Sequence, residues 1–283
     1  MIPQAQVYLL LFAAVLGTTN AQNYWFSFGD SYTQTAFNTT RTLPSVGNPL
    51  GNPPYPGETS TGGENWLCAW RRNDLRRLMT PELPTILSLT DQVNQFLTNY
   101  AARPSTTPWA SENTLFSVWI GINDILNTYY LGGDRDAFSD TLVDAYIALM
   151  EELVLRAHLR RDCNVGARNF LFLNVPPFDR SPFTLALSTS SQALEKSVIE
   201  GFNSRLATRA AALGANHSDV KTWIWDSNAA FTAILDDPTS YGFQDVTSYG
   251  DADGLFWRDS LHPTSDAHAL FSQDVAKLLG GFM

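Results

Sequence analysis

The chain has 283 residues, 44% hydrophobic and 12% aromatic, with 18 Gly and 15 Pro, enough for one large hydrophobic core and unlike a collagenous or disordered composition. Its formal net charge of −10 excludes the polybasic surface that phosphate backbones or anionic membranes require. Neither a nucleic acid nor a membrane is expected as a partner.

At the start, Val7 to Leu16 (VYLLLFAAVL) is an unbroken apolar run, shorter than the roughly 20 residues that cross a bilayer but suited to a secretory signal. Thr19-Asn20-Ala21 fits a small-x-small cleavage site, although no Lys or Arg precedes the apolar run. The expectation is a signal peptide over 1–21, a single mature domain over 22–283, and export from the cell. Asn38-Thr39-Thr40 and Asn216-His217-Ser218 are glycosylation sequons consistent with that route. Tyr24 to Phe28 reads as a buried strand entering a turn at Gly29, and the Gly- and Pro-rich stretch Asn38 to Gly63 as a long surface loop. A helix is predicted over Pro84 to Tyr100, a strand over Leu115 to Ile120, and a helix over Asp140 to Leu159 with Leu142, Tyr146, Leu149, Leu153 and Ala157 on one face. The strand Asn169 to Leu173 follows, then the helix Ser191 to Leu213, the strand Lys221 to Trp225, a helical Phe231 to Leu235 and a last helix over Ser265 to Leu279. Strands alternating with helices imply a parallel sheet covered on both faces, an α/β domain. Cys68 and Cys163, the only cysteines, could pair in an oxidising compartment, but they have no metal-ligand spacing, and the four His do not cluster. No metal is expected.

Chemistry concentrates at strand ends. Gly29-Asp30-Ser31 follows the first strand directly, where a parallel sheet opens its ligand crevice. A serine hydroxyl is a weak nucleophile and needs a base, usually a His held by a carboxylate; taken alone, Ser31 could equally cap a helix. Among the histidines, His158 lies between arginines in a helix, His217 in a sequon and His268 in the last helix. His262 precedes Pro263 and so sits in a turn, with Asp259 three residues before it, close enough to orient its imidazole. Gly121-Ile122-Asn123-Asp124 follows another buried strand, and an Asn amide there can face a developing oxyanion. The Trp and Tyr residues could stack on sugars, but most are expected in the core.

Gly29-Asp30-Ser31-Tyr32, Gly121-Ile122-Asn123-Asp124 and Asp259-Ser260-Leu261-His262, in this order, resemble the GDSL or SGNH hydrolase superfamily. More narrowly, GDSYTQTAFN, PSVGNPLGNPPYPGETSTGGENW, PTILSLTDQVNQF, IGINDI and NVPPFDR resemble fungal secreted acetyl esterases of carbohydrate esterase family sixteen. The resemblance implies a flavodoxin-like three-layer α/β/α sandwich and cofactor-free hydrolysis of O-acetyl esters on plant cell-wall oligosaccharides by a monomer. It also implies Ser31 as nucleophile, His262 as base, Asp259 as its orienting carboxylate, and the Ser31 backbone with Asn123 as oxyanion donors.

One block departs from the family pattern. Where the family has a Tyr-Gly-Gly-Ala-Thr segment whose Gly supplies a further oxyanion donor, this chain has Ala69 to Met79, AWRRNDLRRLM, with four arginines and no glycine. Read one base later, codons for Trp70 to Arg77 can spell Gly-Gly-Ala-Thr-Thr-Tyr-Asp-Ala, which points to a frame or splice error in the encoding gene. Taken as written, the segment predicts a missing donor and puts the local strand in question. The alternative function is therefore a catalytically impaired carbohydrate-associated chain, with a lipase or phospholipase as a further alternative.

Overall fold

The computed structural model describes residues 23–44, 48, 50–69, 76–78, 87–155 and 165–282, with backbone alone for 76–78. The proposed signal peptide, Cys163, His158 and the ends of two predicted helices lie outside these residues. Among the described residues no helix is long and apolar enough to cross a membrane.

Five strands form one parallel sheet: β1 (Tyr24–Gly29), β2 (Arg76–Leu78), β3 (Thr114–Trp119), β4 (Asn169–Leu173) and β5 (Lys221–Trp225), in the order β2-β1-β3-β4-β5. This is the flavodoxin-like order, and its switch point lies between β1 and β3, where the chain turns outward in opposite directions. β1, β3 and β4 are buried at every position, as a sheet covered on both faces demands. The register sets Phe26 beside Phe116 and Phe116 beside Phe170. On this face the Phe26 and Phe116 rings meet Phe96 of α1 (Leu89–Asn99), and Phe172 meets Tyr146 of α3 (Arg135–Leu155), with the short α2 (Ile122–Leu126) between them in the chain. The alternate residues Trp119 and Trp225 face the opposite layer, built from α6 (Ser227–Asp236) and α7 (Ser265–Leu279), while α5 (Thr189–Asn216), preceded in the chain by the short α4 (Pro182–Leu185), packs beside α3 in the first layer. In the opposite layer Trp119 packs on Phe231 of α6 and on Phe271 of α7. β6 (Asp245–Tyr249) and β7 (Leu255–Trp257) form a separate parallel pair before α7. The three-layer expectation is met.

Several boundaries shift for local reasons. α1 begins at Leu89, not Pro84, because Ser88 and Asp91 form a reciprocal capping box that fixes the first turn there. α3 starts at Arg135, before the predicted Asp140, and buries Val143, Ile147, Met150 and Val154 beside Tyr146 and Leu153, while Leu142 and Leu149 are only partly covered. A helix pressed between a sheet and a neighbouring helix carries two apolar stripes, and a single-face reading follows one of them. The altered segment keeps its strand: β2 lies parallel to β1, with Tyr24 opposite Arg76 and Phe26 opposite Leu78. Trp25, Trp66, Trp109, Trp119, Trp225 and Trp257 are all buried, so these are core residues and not sugar platforms.

Candidate active site

The sheet register determines where the chemistry gathers. Gly29, the last residue of β1, stands opposite Trp119, the last residue of β3, so the turns carrying Ser31 and Asn123 leave the sheet side by side at the switch point. The first turn needs its glycine: a Cβ on Gly29 would come within 2.7 Å of the Thr33 side chain and 2.9 Å of the Trp119 carbonyl. The second turn starts at Gly121, whose φ of 118° and close approach to the Phe202 ring both exclude a larger residue. The Asp30 carbonyl accepts from the Thr33 and Gln34 N–H groups, closing the Ser31 turn.

His262 lies between β7 and α7. A bridge between Trp257 and Pro263 shapes its loop. The Nε2 atom of His262 is 2.8 Å from Ser31 Oγ, and Nδ1 is 2.9 Å from Asp259 Oδ2. A carboxylate only accepts, so Nδ1 carries the proton and Nε2 is left to accept from the serine hydroxyl. Asp259 Oδ1 also accepts from the Leu261 and His262 N–H groups at 2.7 and 2.9 Å. Burial opposes the charge on Asp259, but the His262 hydrogen bond and these backbone donors outweigh it and hold the carboxyl below its ordinary range. Such a relay lets a hydroxyl lose its proton as it attacks a carbonyl.

Asn123, on α2, is exposed and lines the same cavity as Ser31 and His262. That cavity has a volume of about 700 Å³ and is walled by Leu89, Ile120, Leu142, Leu149 and Phe202 among others. Asp30 lines it too; burial pushes its carboxyl up to about 7, against the Tyr32 N–H and the nearby His262. The residues that would decide the fate of the third oxyanion donor, 70–75 and 79, lie outside the described ones. Of the sequon residues, Asn216 is exposed at the end of α5 and Asn38 is half-buried.

Three contributors escaped the sequence reading. Gln92 of α1 takes the Gly29 N–H on Oε1 at 2.9 Å and returns Nε2 to the Gly29 carbonyl at 2.8 Å, gripping the strand end just before Ser31. Tyr32 donates to the Leu261 carbonyl at 2.6 Å. His268, excluded as a base, is fully buried and accepts the Trp66 N–H on Nδ1; burial lowers it to about 3 and keeps it neutral.

Comparison with known proteins finds one family and several relatives. The family described as GDSL-like Lipase/Acylhydrolase matches residues 26–275. An acetylesterase of Thermothelomyces thermophilus is 34% identical over 272 residues, covering 89% of this chain and 87% of that protein. A GDSL esterase/lipase of Arabidopsis thaliana is 27% identical over 146 residues, covering 47% of this chain and 38% of its own. Among solved structures, an extracellular lipase from Streptomyces rimosus aligns with a TM-score of 0.48 at 17% identity, covering 90% of this chain and 99% of that one.

Proposed function

The chain belongs to the GDSL-like lipase/acylhydrolase family and is a carboxylic ester hydrolase, and from that premise we propose that it is a secreted serine esterase that removes O-acetyl groups from plant cell-wall oligosaccharides. The observation that carries the proposal is the continuous relay from Ser31 Oγ through His262 to Asp259, at 2.8 and 2.9 Å. Ser31 attacks the acetyl carbonyl while His262 Nε2 takes its proton. The Ser31 N–H and the Asn123 amide hold the oxyanion. Collapse of the tetrahedral intermediate breaks the bond to the sugar oxygen, which leaves with the proton from His262. Water, deprotonated in turn by His262, then releases acetate from Ser31. Asp259 keeps the imidazole in the accepting tautomer and stabilises it when charged.

The acetyl preference is supported by the Thermothelomyces relative, and the sugar class by the motifs shared with family sixteen. Export is supported by the apolar run before Ala21 and by the exposed sequon at Asn216. The assembled relay favours an active enzyme over the impaired chain. The test is acetate release from acetylated xylo-oligosaccharides beside a Ser31→Ala control. Release by the wild-type chain and none by the variant is expected; equal release by both contradicts the proposal.

A second reading, hydrolysis of longer acyl esters, is favoured by the apolar walls of the cavity beside Ser31. Running p-nitrophenyl acetate against p-nitrophenyl octanoate in the same assay separates the two, since an acetyl-selective site loses kcat/KM as the acyl chain grows.

A further inference from the structure

Ser31 and His262 are separated by 231 positions in sequence, so their 2.8 Å contact depends on what fastens one loop to the other. The His262 loop is braced within itself: Asp259 Oδ1 accepts from Leu261 and His262, and the Arg258 N–H donates to the His262 carbonyl at 2.7 Å. It therefore shifts as a unit. Among the described residues, two hydrogen bonds join this unit to the Ser31 turn. One is the Ser31–His262 contact, and the other runs from the Tyr32 hydroxyl to the Leu261 carbonyl at 2.6 Å. Tyr32 directly follows Ser31, and Leu261 directly precedes His262, so the second bond clamps the two reacting residues from one position outside each.

The tyrosine is itself immobilised. It is 2% exposed, its ring lies edge-on to Trp119 at 5.4 Å and parallel to Phe231 at 6.4 Å, and it meets the His262 imidazole at 5.7 Å. Burial, with the nearby Asp30 and Asp259 carboxylates adding to it, pushes the phenol well above its ordinary value, so it stays a donor.

The geometry points to Tyr32 as the positioning residue that sets the reach of His262 onto Ser31, acting through the Leu261 carbonyl and touching no substrate. The inference rests on Ser31 as nucleophile and His262 as base. Displacements near 1 Å at a reacting pair cost up to about 10²-fold in rate, so a small slip of the loop is sufficient to be seen.

Tyr32→Phe removes the hydroxyl and keeps the ring and its packing. Hydrolysis of p-nitrophenyl acetate is measured, with competent sites counted by an endpoint titration using a phosphonate ester. In Tyr32→Phe, kcat per titrated site is expected to fall about tenfold or more while KM and Tm stay close to wild type. Tyr32→Leu, which also removes the ring against His262, is expected to fall further. An unchanged kcat per site in Tyr32→Phe, or a loss accounted for by fewer titratable sites alone, overturns the positioning role. Ser31→Ala in the same assay separates the two levels. Activity retained there defeats the underlying reading, whereas an inert Ser31→Ala beside a fully active Tyr32→Phe defeats only the clamp.

Discussion

Asn123 is a sharper probe of the mechanism than Ser31, because removing its side chain leaves the proton relay intact. Its carboxamide is exposed in the cavity and its backbone carbonyl is already engaged by Asn127. A donor that meets charge only in the transition state affects kcat and leaves KM nearly unchanged. Asn123→Ala is therefore expected to lower kcat by about 10²–10³ with KM little altered, measured by steady-state hydrolysis of p-nitrophenyl acetate. A rise in KM with kcat preserved would make Asn123 a ground-state binding residue instead. At this scale the site was largely legible: Ser31 and Asn123 follow buried apolar runs that stop at glycines, and Asp259 lies one turn from a histidine fixed before proline. Gln92 and Tyr32 were not legible, because their roles are set by partners 63 and 229 residues away. No local pattern marks an amide that grips a strand end or a phenol that ties two loops.

Secondary-structure elements show the same division between local and distant causes. The three central strands β1, β3 and β4 were readable as aromatic and aliphatic runs, since a strand buried on both faces has no polar alternation, and the half-buried edge strand β5 was readable from its Trp223-Ile224-Trp225 end. β2 was not readable. Its sequence, Arg76-Arg77-Leu78, carries no apolar run, and its place comes from pairing with β1 through backbone groups that any residue supplies. The pairing of α3 with α5 also lay beyond a one-helix pattern: Arg205 and Arg209 reach Asp136, Asp140 and Asp144 across the two helices. Exposed pairs of this kind contribute little each, so the helices are held mainly by their buried residues. With β2 in place, the defect that the altered block still predicts is the missing oxyanion donor. Replacing residues 70–77 by Gly-Gly-Ala-Thr-Thr-Tyr-Asp-Ala is expected to raise kcat by about 10²–10³, the worth of one restored donor, with little change in Tm. Equal rates for the two chains would show that another group already fills that role.

At the scale of the whole molecule, acidity meets burial among the described residues most sharply at two carboxyls, whose titration is pushed up toward neutrality. Glu195 of α5 has no exposed surface, and neither of its oxygens has a hydrogen-bond partner among the described residues. Burial pushes it up to about 7 against the nearby Thr184 hydroxyl, with the Asp179 charge adding to the rise. Asp30, in the active-site cavity, is likewise raised to about 7. For such groups the folded protein holds a proton that the unfolded chain releases near pH 4. Their stabilising effect is complete below that value, falls as pH rises through about 7, and then stays low. For Glu195, the displacement from 4.5 to about 7 converts to about 3 kcal/mol. Glu195→Gln removes the titration far from Ser31, whereas a change at Asp30 would disturb the catalytic turn. Thermal melts from pH 4 to 8 are therefore expected to show a steep Tm loss for the wild-type chain. Glu195→Gln should show a shallower one, crossing above wild type on the alkaline side because only the wild type must ionise a buried acid there. Parallel Tm–pH curves for the two proteins would place the alkaline sensitivity elsewhere, with Asp30 the next carboxyl to test.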